Sequence, residues 1–281
     1  MLNSHYCSID DAQSSILSQL LSFGLPASPR NEATVESLAV SFSIENPRAR
    51  CVLNTARRWN LPFALGELCW HLSGSKDASV LTYYSRAWSA FADSNGQIRG
   101  SCYGSKVFRP FGSGSLWEKA RDLLRIDSAT RRAVLYFNDA AAHLDALCPD
   151  AACASSLQFM IRGGSLHAFV SMRSNDVIWG LPYDVFLFTF LQEMMALELG
   201  LSLGSYYHFA ASMHLYERHR DLAHRILDVN PRSPFFIPPL ERIESIPRFL
   251  DVERCLREGT AAKVELNPYW EALADVFTPR G

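Results

Sequence analysis

Cys153 is the residue in this chain best suited to covalent chemistry. It opens the segment CASSLQF, and a basic and polar stretch, RSNDVIWGLPYD, follows over residues 173–184. A thiolate is a strong nucleophile, and a nearby guanidinium favours its ionised form. Arg173 is placed to act in this way, because segments on either side of Gly163–Gly164 predict a hairpin. Cys148 is the competing nucleophile, and it lacks a glutamine five residues downstream.

Five blocks of the chain, in one order, resemble the thymidylate synthase family over roughly residues 28 to 220. Any single block would be a weak signal, whereas five in sequence are a strong one. The resemblance implies that Cys153 adds to C6 of a pyrimidine nucleotide, so that C5 can attack a one-carbon electrophile. The blocks are GELCWHLSG (66–74), AWSAFADSNGQIRGSCYG (87–104), TRRAVLYFN (130–138), the Cys153 segment with residues 173–184, and ASMHLYERH (211–219).

The same resemblance implies the binding roles, including a co-substrate, 5,10-methylenetetrahydrofolate. Glu67 would move protons during addition and elimination. The alternative is a helix-surface acid, but its apolar neighbours Leu65 and Leu68 predict a half-buried one. Arginines are expected at the phosphate because each offers a forked set of donors. The phosphate would be bound by Arg30, Arg173 and Ser174, with Arg131 and Arg132 from the partner of a homodimer. Gln158 would contact the nucleotide, and its sugar would be bound by His214 and Tyr216. The folate pocket would be lined by Trp88, Tyr103 and Asp176.

Asp184 carries the expectation about the substrate. In the family that this chain resembles, thymidylate synthases have Asn at this position. The branch of the family that takes cytosine has Asp there, so the resemblance implies a cytosine substrate. Uracil presents an N3–H donor and an O4 acceptor, whereas cytosine presents an N3 acceptor and an N4 amino donor. A protonated carboxyl accepts from N4 and donates to N3. The alternative is that Asp184 only caps the following helix.

Two further departures from the family pattern concern the reaction. The nucleophile is followed by Ala154 where the family has His, and the tail ELNPYWEALADVFTPRG does not match the segment that closes over the folate. A looser closure would admit water to the intermediate. The sequence therefore predicts hydroxymethylation of dCMP or CMP. The alternatives are a methylase of a uracil nucleotide and a nucleotide-binding relative without catalysis, and the choice between ribose and deoxyribose stays open.

The order of predicted strands and helices indicates an α+β protein. We expect a thymidylate synthase-like fold, with a mixed, largely antiparallel sheet that is covered by helices and dimerises through the sheet, in one catalytic domain over residues 1–281. Alternating segments predict strands at 37–44, 132–137, 155–162, 166–173 and 205–213. Helical spacing predicts helices at 10–23, 61–74, 78–90, 115–124, 185–200 and 217–227, and the proline-rich segment 232–247 predicts a loop.

The composition fits a folded enzyme that binds small molecules. Apolar residues make up 48% of the 281, and the formal net charge of -2 offers no general attraction to nucleic acids or acidic membranes. The seven cysteines lack paired metal-ligand spacing, and their odd number argues against a disulfide framework. Neither a signal peptide nor a membrane span is expected, because the first residues lack an apolar run and the most apolar helix carries Glu193 and Glu198. We expect a cytoplasmic protein without a metal.

Overall fold

A computed structural model describes residues 4–110, 112–138, 144, 148–230, 233–261 and 264–277. Its elements in chain order are β1 (Ser4–Tyr6), α1 (Ile9–Phe23), β2 (Leu25–Ala27), β3 (Thr34–Ile44), α2 (Leu61–Leu72), α3 (Ala78–Tyr84), α4 (Tyr103–Val107), α5 (Leu116–Ile126), β4 (Val134–Tyr136), β5 (Ala154–Arg162), β6 (Ser165–Met172), β7 (Asn175–Asp176), α6 (Leu181–Leu199), β8 (Ser202–Tyr216), α7 (Arg220–Leu227), α8 (Ile246–Arg257) and α9 (Pro268–Ala274).

The chain divides into two compact units. The first comprises Met1–Trp59, Leu123–Tyr136 and Cys153–Pro239, and the second comprises Asn60–Asp122, Phe137–Ala152 and Leu240–Gly281. The prediction of one catalytic domain over the whole chain stays a prediction. None of the helices within the described residues is both long enough and apolar enough to cross a membrane.

The first unit is built on one mixed sheet. Its strands run in the order β1-β3-β8-β6-β5-β4, while β2 pairs with β3 and β7 pairs with β8. The longest ladder, between β3 and β8, is antiparallel, and β8 runs parallel to β6 and β7. Together with the helices this confirms the α+β class.

The hairpin that brings Cys153 beside Arg173 has the predicted form. β5 and β6 pair antiparallel, from Ala154 opposite Met172 to Arg162 opposite Ser165. Gly163 and Gly164 make the turn with φ of 58° and 77°, a left-handed conformation in which glycine has no Cβ to clash. The turn residues fix the register as far as Ser156, and a bulge between Ala154 and Ser156 then shifts the pairing beside Cys153.

Helix α6 packs on the sheet of the first unit. Its residues are apolar on nearly every face, and fourteen of them are buried. The buried Gln192 amide donates to the carbonyls of Leu166 (3.0 Å) and Gly204 (2.9 Å), which tie the helix to β6 and to the third residue of β8. The helix ends at Gly200, whose φ of 66° suits a left-handed cap.

The second unit is mostly helical. Helix α2 begins at Leu61–Pro62 as predicted, with Asn60 as its cap. The C-terminal tail forms α9 and is anchored by Trp270, which is fully buried and packs on Phe249 of α8 with ring centroids 4.9 Å apart. The described part of the tail is thus a packed helix.

Several sequence-based boundaries are wrong. The helix predicted over 78–90 ends at Tyr84 and is followed by a 3-10 segment, Arg86–Phe91. Helix α6 begins at Leu181 rather than at residue 185, because Pro182 fits a first helical turn. The strand predicted from 132 narrows to β4, and the one predicted over 205–213 lengthens to β8. Helices α8 and α9 were not anticipated.

The hairpin turn offers a test of stability. Gly163→Val should lower the free energy of unfolding by about 1–2 kcal/mol, since a β-branched residue resists a positive φ. Gly163→Asn should cost less, because Asn tolerates this conformation, and a side chain at this position would meet no neighbour within 4 Å. Urea unfolding would measure both variants. Equal losses for Val and Asn would contradict this account of the turn.

Candidate active site

Cys153 and Arg173 meet at the open end of the hairpin. The Arg173 backbone N–H donates to the Cys153 carbonyl at 2.9 Å, and one guanidinium nitrogen lies 3.9 Å from the sulfur. Cys153 is partly buried and carries a thiol. Ala154 beside it is fully buried. The predicted proximity of Arg173 to Cys153 is confirmed, and their catalytic roles stay predictions.

Cys148, the competing nucleophile, lies in the second unit. Its sulfur donates to the carbonyl of Asp150 at 3.3 Å. The structure therefore places the two cysteines in different surroundings, and Cys153 is the one with a guanidinium beside it.

The end of β8 gathers the residues expected at the sugar. The rings of His214 and Tyr216 lie edge to face with centroids 5.1 Å apart, as expected for alternate residues of one strand. The Ser174 hydroxyl lies 3.5 Å from Nδ1 of His214, and Asp176 pairs with His214 in the parallel ladder. Desolvation lowers the pKa of His214. Three predicted binding residues and Asp176 are thus neighbours.

Asp184 lies in the first turn of α6 and does not cap it. The helix begins after Gly180, no side chain caps it, and the Asp184 Oδ2 instead accepts a 2.7 Å hydrogen bond from Nδ2 of Asn175. Desolvation raises the pKa of Asp184 to about 7, the Asn175 hydrogen bond opposes the shift, and the charge of Asp176 adds to it. The carboxyl can therefore hold its proton near neutral pH.

Arg30 occupies an exposed and strained turn. It and Asn31 have φ of 53° and 62°, a region that non-glycine residues rarely adopt. The turn stands just before β3, whose first residue, Thr34, pairs with Tyr216. Strain of this kind clusters at ligand-binding segments. It is compatible with the phosphate-gripping role that the sequence predicts.

Arg131 and Arg132 lie exposed just before β4. The side-chain amide of Gln158 donates to the Arg131 carbonyl at 2.7 Å. The structure therefore connects Gln158 with the arginine pair, whereas the sequence predicts it at the nucleotide.

The remaining predicted residues belong to the second unit. Glu67 is partly buried on α2, as its apolar neighbours in sequence predict. Tyr103 is buried, and its ring stacks on His71 at 5.3 Å with an interplanar angle of 7°. Trp88, partly buried, tilts against Trp70 at 6.3 Å. Both aromatic residues have packing contacts within their own unit.

The sequence analysis missed Asn175 and its two buried neighbours, His208 and Tyr206. Asn175 lies between two predicted binding residues, Ser174 and Asp176, and was given no role of its own, while the histidine and tyrosine lie inside an apolar strand. Only the three-dimensional pairing of β7 with β8 brings them together. A buried asparagine needs hydrogen-bond partners, and that need is the one signal that could have marked it.

Comparison with known proteins identifies the relatives of this chain. The model of the family described as thymidylate synthase matches residues 15–253. A protein named deoxyuridylate hydroxymethyltransferase, from Bacillus phage SP01, is 29% identical over 218 residues, which cover 72% of this chain and 55% of that protein. The chain thus spans about half the length of this curated relative.

A solved structure supports the fold. Thermostable thymidylate synthase A from Bacillus subtilis superimposes with a TM-score of 0.68 and 22% identity, over 80% of this chain and 86% of that one. The likeness confirms the predicted thymidylate synthase-like architecture.

The raised pKa of Asp184 predicts a pH-dependent stability. The unfolded side chain ionises near pH 4, whereas the folded one keeps its proton up to about pH 7. The folded state binds more protons between these values, so this residue makes the free energy of unfolding fall as pH rises from 4 to 7. Asp184→Asn removes that contribution.

The stability of Asp184→Asn relative to the unaltered protein should therefore rise over the same range, by on the order of 1–4 kcal/mol. Urea unfolding of both proteins at pH 5 and pH 8 measures the difference. A difference that is the same at the two pH values would contradict the assignment of a neutral carboxyl.

Proposed function

This chain belongs to the thymidylate synthase family, and we propose that it is a pyrimidine nucleotide 5-hydroxymethylase that acts on dCMP or CMP. The net reaction joins the nucleotide, 5,10-methylenetetrahydrofolate and water to give the 5-hydroxymethyl nucleotide and tetrahydrofolate. The observation that supports cytosine is the half-buried, desolvated carboxyl of Asp184, which accepts from Asn175 and has a pKa of about 7.

The chemistry of the chain's own groups would begin at Cys153. Its thiolate adds to C6 of the base, with Arg173 favouring the ionised sulfur. Addition moves electron density toward N3 and C5, and a protonated Asp184 would stabilise it by donating to N3. After C5 has bonded to the carbon unit, C5 loses its proton and tetrahydrofolate leaves, which produces an exocyclic methylene at C5. Water then adds to this methylene to form the hydroxymethyl group, and Glu67 would move protons in these steps. Release of Cys153 restores the aromatic ring.

The nucleotide would be held by its phosphate and its sugar. The Ser174 hydroxyl lies 3.5 Å from His214, whose ring contacts Tyr216, and Arg173 directly precedes Ser174. This proximity supports a single nucleotide bound by all four residues. Arg30 would close on the phosphate from its strained turn. Several guanidiniums around one dianion give forked, charge-assisted hydrogen bonds. Gln158 would contact the nucleotide once released from the Arg131 carbonyl.

The pair Arg131 and Arg132 would reach the phosphate of a partner subunit in a homodimer. One face of the sheet supports such a dimer interface, since it has an open cavity of about 440 Å³ whose lining includes Phe169, Tyr207 and Phe209. Phe209 is 39% exposed. Aromatic residues on an open sheet face are typical of a surface that another protein covers.

The folate co-substrate supplies a carbon unit at the oxidation level of formaldehyde. Trp88 and Tyr103 would border it, and Asp176 would accept from its pterin. The chemistry of Asp176 fits this part, because a carboxylate can accept several hydrogen bonds and one acceptor contact, from the Ile178 N–H to Oδ1 at 2.8 Å, comes from its own loop. We place the reaction in the cytoplasm.

A uracil nucleotide is the second candidate substrate. The relative from Bacillus phage SP01 is named for deoxyuridylate. A neutral carboxyl could also serve uracil by donating to O4 and accepting from N3–H, so the choice between bases depends on what orients Asp184.

The products identify the reaction directly. Incubation with methylenetetrahydrofolate and CMP, dCMP or dUMP, followed by mass analysis, should show a cytosine nucleotide that is heavier by one CH2O unit. A methyl product with dihydrofolate would instead identify a methylase, and an unchanged nucleotide would contradict both.

Removal of the nucleophile tests the first step. Cys153→Ala should abolish release of the C5 hydrogen from the nucleotide into water, because C5 is not activated without addition at C6. A tritium-release assay measures this, and Cys148→Ala is the matched control that should retain activity. Substantial release by Cys153→Ala would remove this residue from the mechanism.

Substitution of the carboxyl tests the base preference. Asp184→Asn should shift the preference from cytosine toward uracil nucleotides by roughly tenfold to a hundredfold, because an amide donates where cytosine also donates. Competition between dCMP and dUMP in the same assay gives the ratio. An unchanged ratio would leave Asp184 without a role in specificity.

A further inference from the structure

A chain of buried polar groups stands behind Asp184. Tyr206 OH lies 2.9 Å from Nδ1 of His208, Nε2 of His208 lies 3.1 Å from Oδ1 of Asn175, and Nδ2 of Asn175 donates to Asp184 at 2.7 Å. Tyr206, His208 and Asn175 are at most 2% exposed. The His208 ring also stacks on Phe42, with centroids 4.9 Å apart, which fixes its plane. We call these four polar residues the relay.

The relay has one hydrogen-bond direction. The Asn175 oxygen can only accept, so Nε2 of His208 carries the proton. Burial lowers the pKa of His208 to about 3, so the ring is neutral and Nδ1 must accept from the Tyr206 hydroxyl. Burial raises the pKa of Tyr206 well above its usual value, so Tyr206 keeps the proton that it donates. Every donor in the relay points toward Asp184.

A neutral carboxyl by itself does not distinguish the two bases. Either oxygen can carry the proton. With the proton on one oxygen, the carboxyl donates to N3 of cytosine and accepts from its N4 amino group. With the proton on the other oxygen, the same carboxyl accepts from N3–H of uracil and donates to its O4. A fixed donor against one oxygen removes this ambiguity. A carbonyl oxygen accepts a hydrogen bond more readily than a hydroxyl oxygen, so the proton settles on the oxygen that Asn175 does not touch.

We propose that Asn175, aligned by His208 and Tyr206, selects which oxygen of Asp184 carries the acid proton and so makes the site specific for the cytosine edge. Asn175, His208 and Tyr206 are positioning residues, since they act through Asp184. The proposal rests on the proposed function. Besides the hydrogen bond from Asn175, the charge of Asp176 acts on the Asp184 carboxyl and favours the neutral form of Asp184.

The decisive variant is Asn175→Leu, which keeps the size of the buried side chain and removes the donor. The ratio of kcat/KM for dCMP to that for dUMP, measured by C5-tritium release, should fall about tenfold, with release retained from both nucleotides. Tyr206→Phe should lower the ratio in the same direction but less. Tyr136→Phe, at a side chain that is 69% exposed, is the matched control and should not change it.

The tautomer of His208 tests the relay without an activity assay. In the unaltered protein, nitrogen-15 NMR should show a neutral ring protonated at Nε2 between pH 6 and 8, with the signal assigned by its loss in His208→Gln. A proton on Nδ1, or a charged ring, would overturn the proposal. The NMR result can be obtained even if Asn175→Leu fails to fold. In that case the ratio of kcat/KM values for dCMP and dUMP is measured in Tyr206→Phe, and an unchanged ratio would overturn the proposal.

The outcomes separate the two proposals. If the unaltered protein prefers uracil nucleotides, the proposed function fails. If it prefers cytosine nucleotides and folded Asn175→Leu keeps the same ratio, the function stands and the role of the relay is overturned.

Discussion

The hydrogen bond from the buried Asn175 to the half-buried Asp184 carboxyl is the constraint around which this part of the first unit is arranged. β7 is only two residues long, yet its pairing with β8 sets Asn175 between Asp184 and His208. The backbone then turns at Gly180, where a Cβ would lie 2.9 Å from the Asn175 amide nitrogen. A larger residue at Gly180 would displace the group that holds the acid.

The fold gives the two chemical groups of the first unit opposite surroundings. Cys153 lies at the end of a hairpin with a guanidinium 3.9 Å from its sulfur, a setting that favours an anion. Asp184 lies in a desolvated position that raises its pKa to about 7 and favours the neutral acid. The proposed addition to a cytosine ring would use both groups, because Cys153 would bring negative charge to C6 and a neutral Asp184 would stabilise it near N3.

Much of the fold could be predicted from local sequence patterns. The glycine pair at 163–164 predicted the hairpin, and the uninterrupted apolar run predicted α6, because both signals are short-range. Helix α8 was missed, since its charged sequence follows a proline-rich segment and its core residue Phe249 is buried by a distant Trp270. At the site, Arg173 beside Cys153 followed from strand pairing. Asn175, His208 and Tyr206 did not, because their hydrogen bonds join residues up to 33 positions apart.

The pH dependence of base preference tests the central claim most directly. Asp184 can donate to N3 of cytosine only while it is protonated, and its pKa is about 7. In competition between dCMP and dUMP, measured by C5-hydrogen release from pH 5 to pH 9, we predict a preference for dCMP that is largest at low pH and declines through neutral pH. A preference for dUMP throughout, or one for dCMP that does not change with pH, would contradict a neutral Asp184 as the group that recognises the base.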